Sequence, residues 1–258
     1  MPDRTTAASR APLRLLAAVA FAFASLAVLS PAAAAKPPDP APFDALLRTH
    51  VKAGDVDYPS FQGNDAFRAY AAALGAPFGE ASGAERLAGY INAYNAFAIQ
   101  GILDGLSPSS FLGRQRYFKA QTWSIDGRAI ALERLENDVI RPFKDPRIHF
   151  AIVCASKSCP PLRSEAYVAE RLDAQLDDQA RRFVNDPSKN RFDKATRTAH
   201  LSEIFKWFDE DFRGAGSVQK YVARYVADPE VARELGNDAY RVQWVDYDWT
   251  LNGRPPKR

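Results

Sequence analysis

Hydrophobic and polar positions alternate with a helical period over much of the chain, and one stretch breaks that alternation. From Leu87 to Leu103 only Asn92, Asn95 and Gln100 interrupt an apolar run. A helix apolar on nearly every side has to be buried on nearly every side, so this one is expected at the centre of the domain. Asn92 and Asn95 are three positions apart and share a face with Ala88, Ala96 and Ile99. A buried amide without a partner costs ~1–3 kcal/mol, so something polar must face them.

Shorter elements surround this helix. The pattern predicts helices from Phe43 to Val51 and from Asn64 to Leu74, the second stopped by Gly75 and Pro77. Apolar residues flanking Asp126-Gly127 predict a hairpin from Gln121 to Leu132, followed by a helix to Ile140 that Pro142 closes. A buried strand is expected from Arg147 to Cys154, then an amphipathic helix from Val168 to Val184. Thr198–Ser202 reads as a strand, Val218–Val226 as a helix broken before Pro229, and Tyr240–Trp249 as the last strand. The aromatic cluster Phe205, Trp207, Phe208 and Phe212 reads as core packing, with Asp209 to Asp211 as a solvated turn. The fold class is α+β: one domain, with a buried central helix packed on a small, mostly antiparallel sheet and further helices around it.

The N-terminus alters the accounting. Arg4, Arg10 and Arg14 precede an apolar segment from Leu15 to Leu29, and the small-residue run Ala32–Ala35 follows Pro31. This is the layout of a cleaved secretory signal, and the apolar segment is short of the roughly 20 residues that span a bilayer. The expected organisation is therefore a signal over residues 1–35, a proline-rich lead and first helix over 36–54, a globular domain over 55–252 and a frayed tail over 253–258. Three of the 34 basic and one of the 31 acidic side chains lie in the signal, which leaves 31 against 30 in the rest. Such a balance offers no electrostatic footprint for nucleic acid. Export places the chain in the periplasm, with membrane contact only through an uncleaved signal.

Candidate chemistry gathers in one stretch, His149 to Leu162, which holds both cysteines and one of the three histidines. Two cysteines in an oxidising compartment tend to pair, so a Cys154–Cys159 disulfide across a four-residue loop is expected. The sharper reading is a thiol nucleophile with His149 as its general base. Side chains alternate along a strand, which puts His149 and Cys154 on opposite faces and leaves Cys159, in the loop, as the freer partner. Asn92 or Asn95 then serves to orient the imidazole. Ser156 and Ser158 in the loop, with Asp248 and Trp249 near the last strand, are candidate ligand-binding positions, although Asp248 and Trp249 serve equally to close the sheet. No Cys-x-x-Cys or His-x-x-x-His spacing supports a zinc site, and no cofactor is called for.

Four segments in order carry a family resemblance: Tyr90–Phe97, Asp145–Pro161, Leu201–Phe212 and Tyr247–Asn252. Together they resemble the family known as domain of unknown function 547, over roughly residues 55 to 252. In that pattern the family's asparagine pair falls on Asn92 and Asn95, its histidine on His149, its cysteines on Cys154 and Cys159, and its terminal Asp-Trp on Asp248 and Trp249. The resemblance implies a domain without an agreed activity.

Two functions remain open from the residues. One is an exported binding or scaffold domain of the cell envelope, its His/Cys loop clasped by a disulfide, with a small molecule or peptide as partner. The other is a Cys-His hydrolase or acyltransferase with a papain- or transglutaminase-like arrangement.

Overall fold

Ser82 and Glu85 start the longest helix by capping each other. The Ser82 hydroxyl accepts from the Glu85 amide at 3.2 Å, and the Glu85 carboxylate accepts from the Ser82 amide at 2.7 Å. In the computed structural model, which describes residues 36–257, this helix runs Gly83–Leu103 and is buried almost continuously from Leu87 to Ile102. Gly101 is required by close approach: a Cβ there would sit 2.9 Å from the Tyr117 ring. Tyr117 uses that closeness to donate its hydroxyl to the Ala98 carbonyl at 2.6 Å. The expected signal over residues 1–35 lies outside the described residues, and among those described no helix is long and apolar enough to cross a membrane.

Three small sheets and a set of shorter helices pack around the central helix. Strands β1 (Val51–Lys52), β2 (Asp55–Asp57) and β8 (Gly253–Arg254) form one sheet, with β1 antiparallel and β8 parallel to β2. Strands β3 (Thr122–Ile125) and β4 (Arg128–Ala131) form the expected hairpin. Its turn residues Asp126 and Gly127 both take positive φ, as a two-residue connection of this hand requires. Strands β5 (Arg191–Asp193), β6 (Thr198–Ser202) and β7 (Arg241–Val245) form the third, β6 lying parallel to β7.

Several local expectations change. The stretch expected as a strand from Arg147 to Cys154 is a single helical turn, Ile148–Ala151, followed by extended chain. No neighbouring strand supplies its hydrogen bonds; the central helix does. Asn95 donates to the Ala151 carbonyl and accepts from the Val153 amide, both at 2.9 Å. Asn92 does the same for Tyr167, at 2.8 and 2.9 Å. Each amide copies the donor and acceptor of a missing strand neighbour. The helix expected to Ile140 begins as Leu132–Arg134 and widens into a π-helical turn, Leu135–Ile140, after which Arg141–Phe143 continues in 3-10 form through Pro142. Pro142 sits near the start of that turn, where its missing N–H is not needed. Pro229 opens a helix, Pro229–Gly236, with Asp228 accepting from two backbone amides as its cap. The tail expected to fray is paired through Gly253 and Arg254.

Buried apolar side chains fall into two clusters. One surrounds the central helix and includes Ile148 and Ala151. The other gathers Phe150, Phe183, Phe205, Phe212 and Tyr221. Successive residues of one helical turn thus anchor in different clusters, and His149 sits at the seam. Replacing Asn95 by leucine keeps the branched shape and strands two buried backbone groups, at a cost of roughly 2–5 kcal/mol. The expected outcome is a clearly lower urea midpoint; a loss within about 0.5 kcal/mol, the range of an ordinary surface change, would show the clasp to be dispensable.

Candidate functional site

Asn95 fixes Val153, and the chain turns immediately beyond it. Ala155 adopts a left-handed conformation, φ 58°, uncommon for a residue with a Cβ. The loop from Cys154 to Cys159 is then laced to the C-terminal segment. The Lys157 amide donates to the Thr250 carbonyl at 2.8 Å and the Ser158 amide to the Asp248 carbonyl at 3.1 Å. Ser158 Oγ accepts from the Asp248 amide at 2.8 Å, and Ser156 bridges to Leu251. Ser158 and Asp248 are therefore engaged in holding the loop. With Ser156 they border a polar depression of about 420 Å³, distinct from the cavity that Cys154 and His149 line.

Both cysteines are free thiols, and the expected disulfide is not formed. Their sulfurs lie 2.6 Å apart, beyond the ~2.05 Å of an S–S bond. The loop owes its shape to the lacing instead of a covalent clasp. Cys154 Sγ is 3.1 Å from the Tyr247 hydroxyl and 3.2 Å from Ser156 Oγ. Burial pushes the Cys154 thiol up, but hydrogen bonds from Cys159, Ser156 and Tyr247 favour its thiolate and bring it below the ordinary value. Cys159 goes the other way, driven well up by burial and then by its bond to Cys154 and the charge there. Cys154, rather than Cys159, has the character of a nucleophile.

His149 is almost wholly enclosed, stacked on Phe208 at 3.9 Å between ring centroids. Its Nε2 lies 2.7 Å from Asp211 Oδ2. Arg141 grips the same carboxylate in a fork, at 2.8 Å to Oδ2 and 3.0 Å to Oδ1. The bond from His149 and those from Arg141 hold the Asp211 carboxyl far below the usual carboxylate range, against burial. An ionised carboxylate only accepts, so Nε2 carries the hydrogen, and in the neutral imidazole Nδ1 carries the lone pair. Nδ1 has no hydrogen-bond partner, and the Glu136 carboxylate stands 3.5 Å away.

With His149 on a helical turn, strand alternation does not apply to it and Cys154. Both line one cavity of about 290 Å³, together with Cys159, Glu136, Tyr247 and Trp249. Two π-helical turns build part of its wall: Gln115–Ala120 contributes Phe118 and Lys119, and Leu135–Ile140 contributes Glu136. Such turns are rare and recur at functional sites. Of the candidate ligand-binding positions, only Trp249 faces this cavity; it stacks with Trp207 and lies under the Arg114 guanidinium at 4.5 Å.

The asparagines do not orient the imidazole, because both spend their amides on backbone. That place belongs to Asp211, read from sequence as part of a solvated turn. The available signal was its position beside Phe212 and three residues after Phe208, aromatic neighbours that carry a carboxylate inward. Glu136 and Tyr247 were also missed, and nothing in their local spacing marks them.

A buried imidazole fixed by a carboxylate thus shares one cavity with two free thiols on an α+β scaffold. Residues 78–184 match the family model described as Protein of unknown function, DUF547, in keeping with the resemblance carried by the sequence motifs. The matched segment holds Asn92, Asn95, Glu136, His149 and both cysteines, while Asp211, Tyr247 and Trp249 lie beyond it. No curated protein and no solved structure matches the chain.

Two outcomes follow from the electrostatics. A carboxyl whose folded value is depressed stabilises the fold above the unfolded value, near pH 4, and loses that contribution as pH falls toward the folded value. The stability difference between wild type and Asp211→Asn, followed by urea unfolding, should therefore be largest near neutrality and shrink below about pH 4; a difference independent of pH would contradict the pairing. Iodoacetamide should alkylate Cys154 well before Cys159, and Tyr247→Phe should slow Cys154 labelling at neutral pH by raising its titration midpoint. Equal rates at the two cysteines would remove the assigned asymmetry.

Proposed function

We propose that this site carries out thiol-dependent acyl transfer, with Cys154 as nucleophile and His149 as general base. The observation that supports it most is the orphaned Nδ1 of a buried histidine, in the wall of the cavity that Cys154 also lines. In this reading the Cys154 proton moves to His149 Nδ1 by way of one water, since the two side chains are not directly hydrogen-bonded, and the thiolate sulfur bonds to the carbonyl carbon of an ester, thioester or amide. Collapse of the tetrahedral adduct breaks the bond to the leaving group, which takes the proton back from Nδ1. A water or second nucleophile, deprotonated by Nδ1, then releases the acyl group and restores the thiol. Asp211 holds the ring by its Nε2–H, and Glu136 places a second carboxylate beside the imidazolium while it exists.

The setting proposed for this chemistry is the periplasm, on the strength of the basic, apolar and small-residue N-terminal segment. There the two neighbouring thiols face an oxidising compartment, and the site works only while they stay reduced.

The test is covalent. Incubating the reduced protein with an activated ester should add one acyl group, found on Cys154 by peptide mass mapping. Cys154→Ser should abolish turnover. His149→Ala and Asp211→Ala should lower kcat by about 10²-fold or more, in line with loss of a general base or of its orienting group. Cys159→Ser should retain acylation. Acyl groups on Cys159 would overturn Cys154 as the nucleophile, and none on either thiol would return the chain to the reading of a non-catalytic envelope domain.

A further inference from the structure

The apolar wall of the thiol cavity is graded. Ile152 and Ile204 are buried, Phe118 and Trp249 are half-buried, and Phe111 and Trp207 at the mouth are 67% and 44% exposed. Leu112, next to Phe111 in the chain, is 69% exposed. Among the described residues these are three of the four large apolar side chains left open to solvent, the other being Trp244. Singly exposed apolar residues need no explanation, but a cluster at the rim of an apolar cavity does.

Several polar groups on the same wall are engaged, while among the described residues the Tyr94, Gln115 and Glu136 side chains that also line it make no hydrogen bond. Arg114 donates to the Pro108 carbonyl at 3.1 Å and lies on the Trp249 ring. Lys119 pairs with Glu133 at 2.9 Å, and the Tyr247 hydroxyl is taken up by Cys154 and Ser156. Among the described residues, of the fully buried side-chain polar atoms without a partner only His149 Nδ1 belongs to a residue lining the cavity. A bound peptide would bring an amide donor and acceptor at every residue and need partners for each. A hydrocarbon chain needs none.

We infer that the cavity binds a linear fatty acyl chain, its one polar group at Cys154 and His149 and its methylenes running out along the apolar wall toward Phe111. This rests on the acyl-transfer reading for the chemistry at the carbonyl, but not for the binding of the chain. Each methylene buried there should raise affinity by up to about fourfold until the chain reaches solvent.

Two measurements separate the inference from that reading. The first follows kcat/KM of the reduced full chain over p-nitrophenyl acetate, butyrate, hexanoate and octanoate. The second follows binding of acetate, hexanoate and decanoate to Cys154→Ser by the fluorescence of Trp207 and Trp249. Both should rise at least several-fold from acetyl to hexanoyl, and Phe111→Ser, which strips apolar wall from the path of the outer methylenes, should cut the gain at the longer chains. Binding that strengthens with length while no ester acylates Cys154 would keep the acyl-chain site and remove the thiol chemistry. Acylation of Cys154 at one rate for every length, with binding equally flat, would keep the chemistry and overturn the acyl-chain site. Absence of both binding and acylation would overturn both.

Discussion

One side-chain amide, that of Asn95, decides where the site can be. By donating to Ala151 and accepting from Val153 it replaces the strand that the His149–Cys154 segment lacks, and it does so from the most buried helix of the chain. The segment can then leave regular structure without exposing unpaired backbone, whose burial costs more than a formed bond gains. Ile148 and Ala151 point into the cluster around the central helix while Phe150 points into the other. Held between two cores and pinned by an amide, His149 and Cys154 have little freedom to change their relation. Positioning of this kind by buried packing is what a reactive constellation requires.

Charge within the site is balanced in an unequal way. Asp211 sits between a guanidinium and an imidazole and stays ionised at little cost. Glu136, largely buried, faces Nδ1 at a distance too long for a good hydrogen bond. A carboxylate left so loosely paired in a poorly solvated place is costly unless a positive charge arises next to it. The proposed proton transfer to the imidazole would supply such a charge, and the aromatic wall limits the water that would screen it.

The elements that sequence revealed are those whose cause is local. The central helix, its asparagine face and the Asp126-Gly127 hairpin follow from periodicity and turn chemistry within a few residues. So does the expectation of contact between that face and the His149 segment, which Asn95 makes and Asn92 does not. What escaped was set by distant partners. An apolar run before Cys154 looks like a strand until an amide some 58 positions away supplies its bonds. Asp211 reads as solvated until Arg141, 70 positions back, and His149 enclose it. Cys154 was set aside on strand parity, a sound rule applied to a segment that is not a strand. The disulfide inferred from compartment gave way to free thiols in a loop already shaped by backbone bonds.

That lacing has a bearing on when the site comes into being. The Cys154–Cys159 loop leans on Asp248, Thr250 and Leu251, and the same terminal strand closes onto the beginning of the domain, where Tyr58 donates to Asn252 at 2.6 Å and Val56 pairs with Gly253. Contacts spanning nearly two hundred residues cannot form until the last of them has been made. A nascent or partly threaded chain therefore carries its thiols without the frame that shapes their loop, and the surroundings of both cysteines are complete only as the two ends of the domain meet.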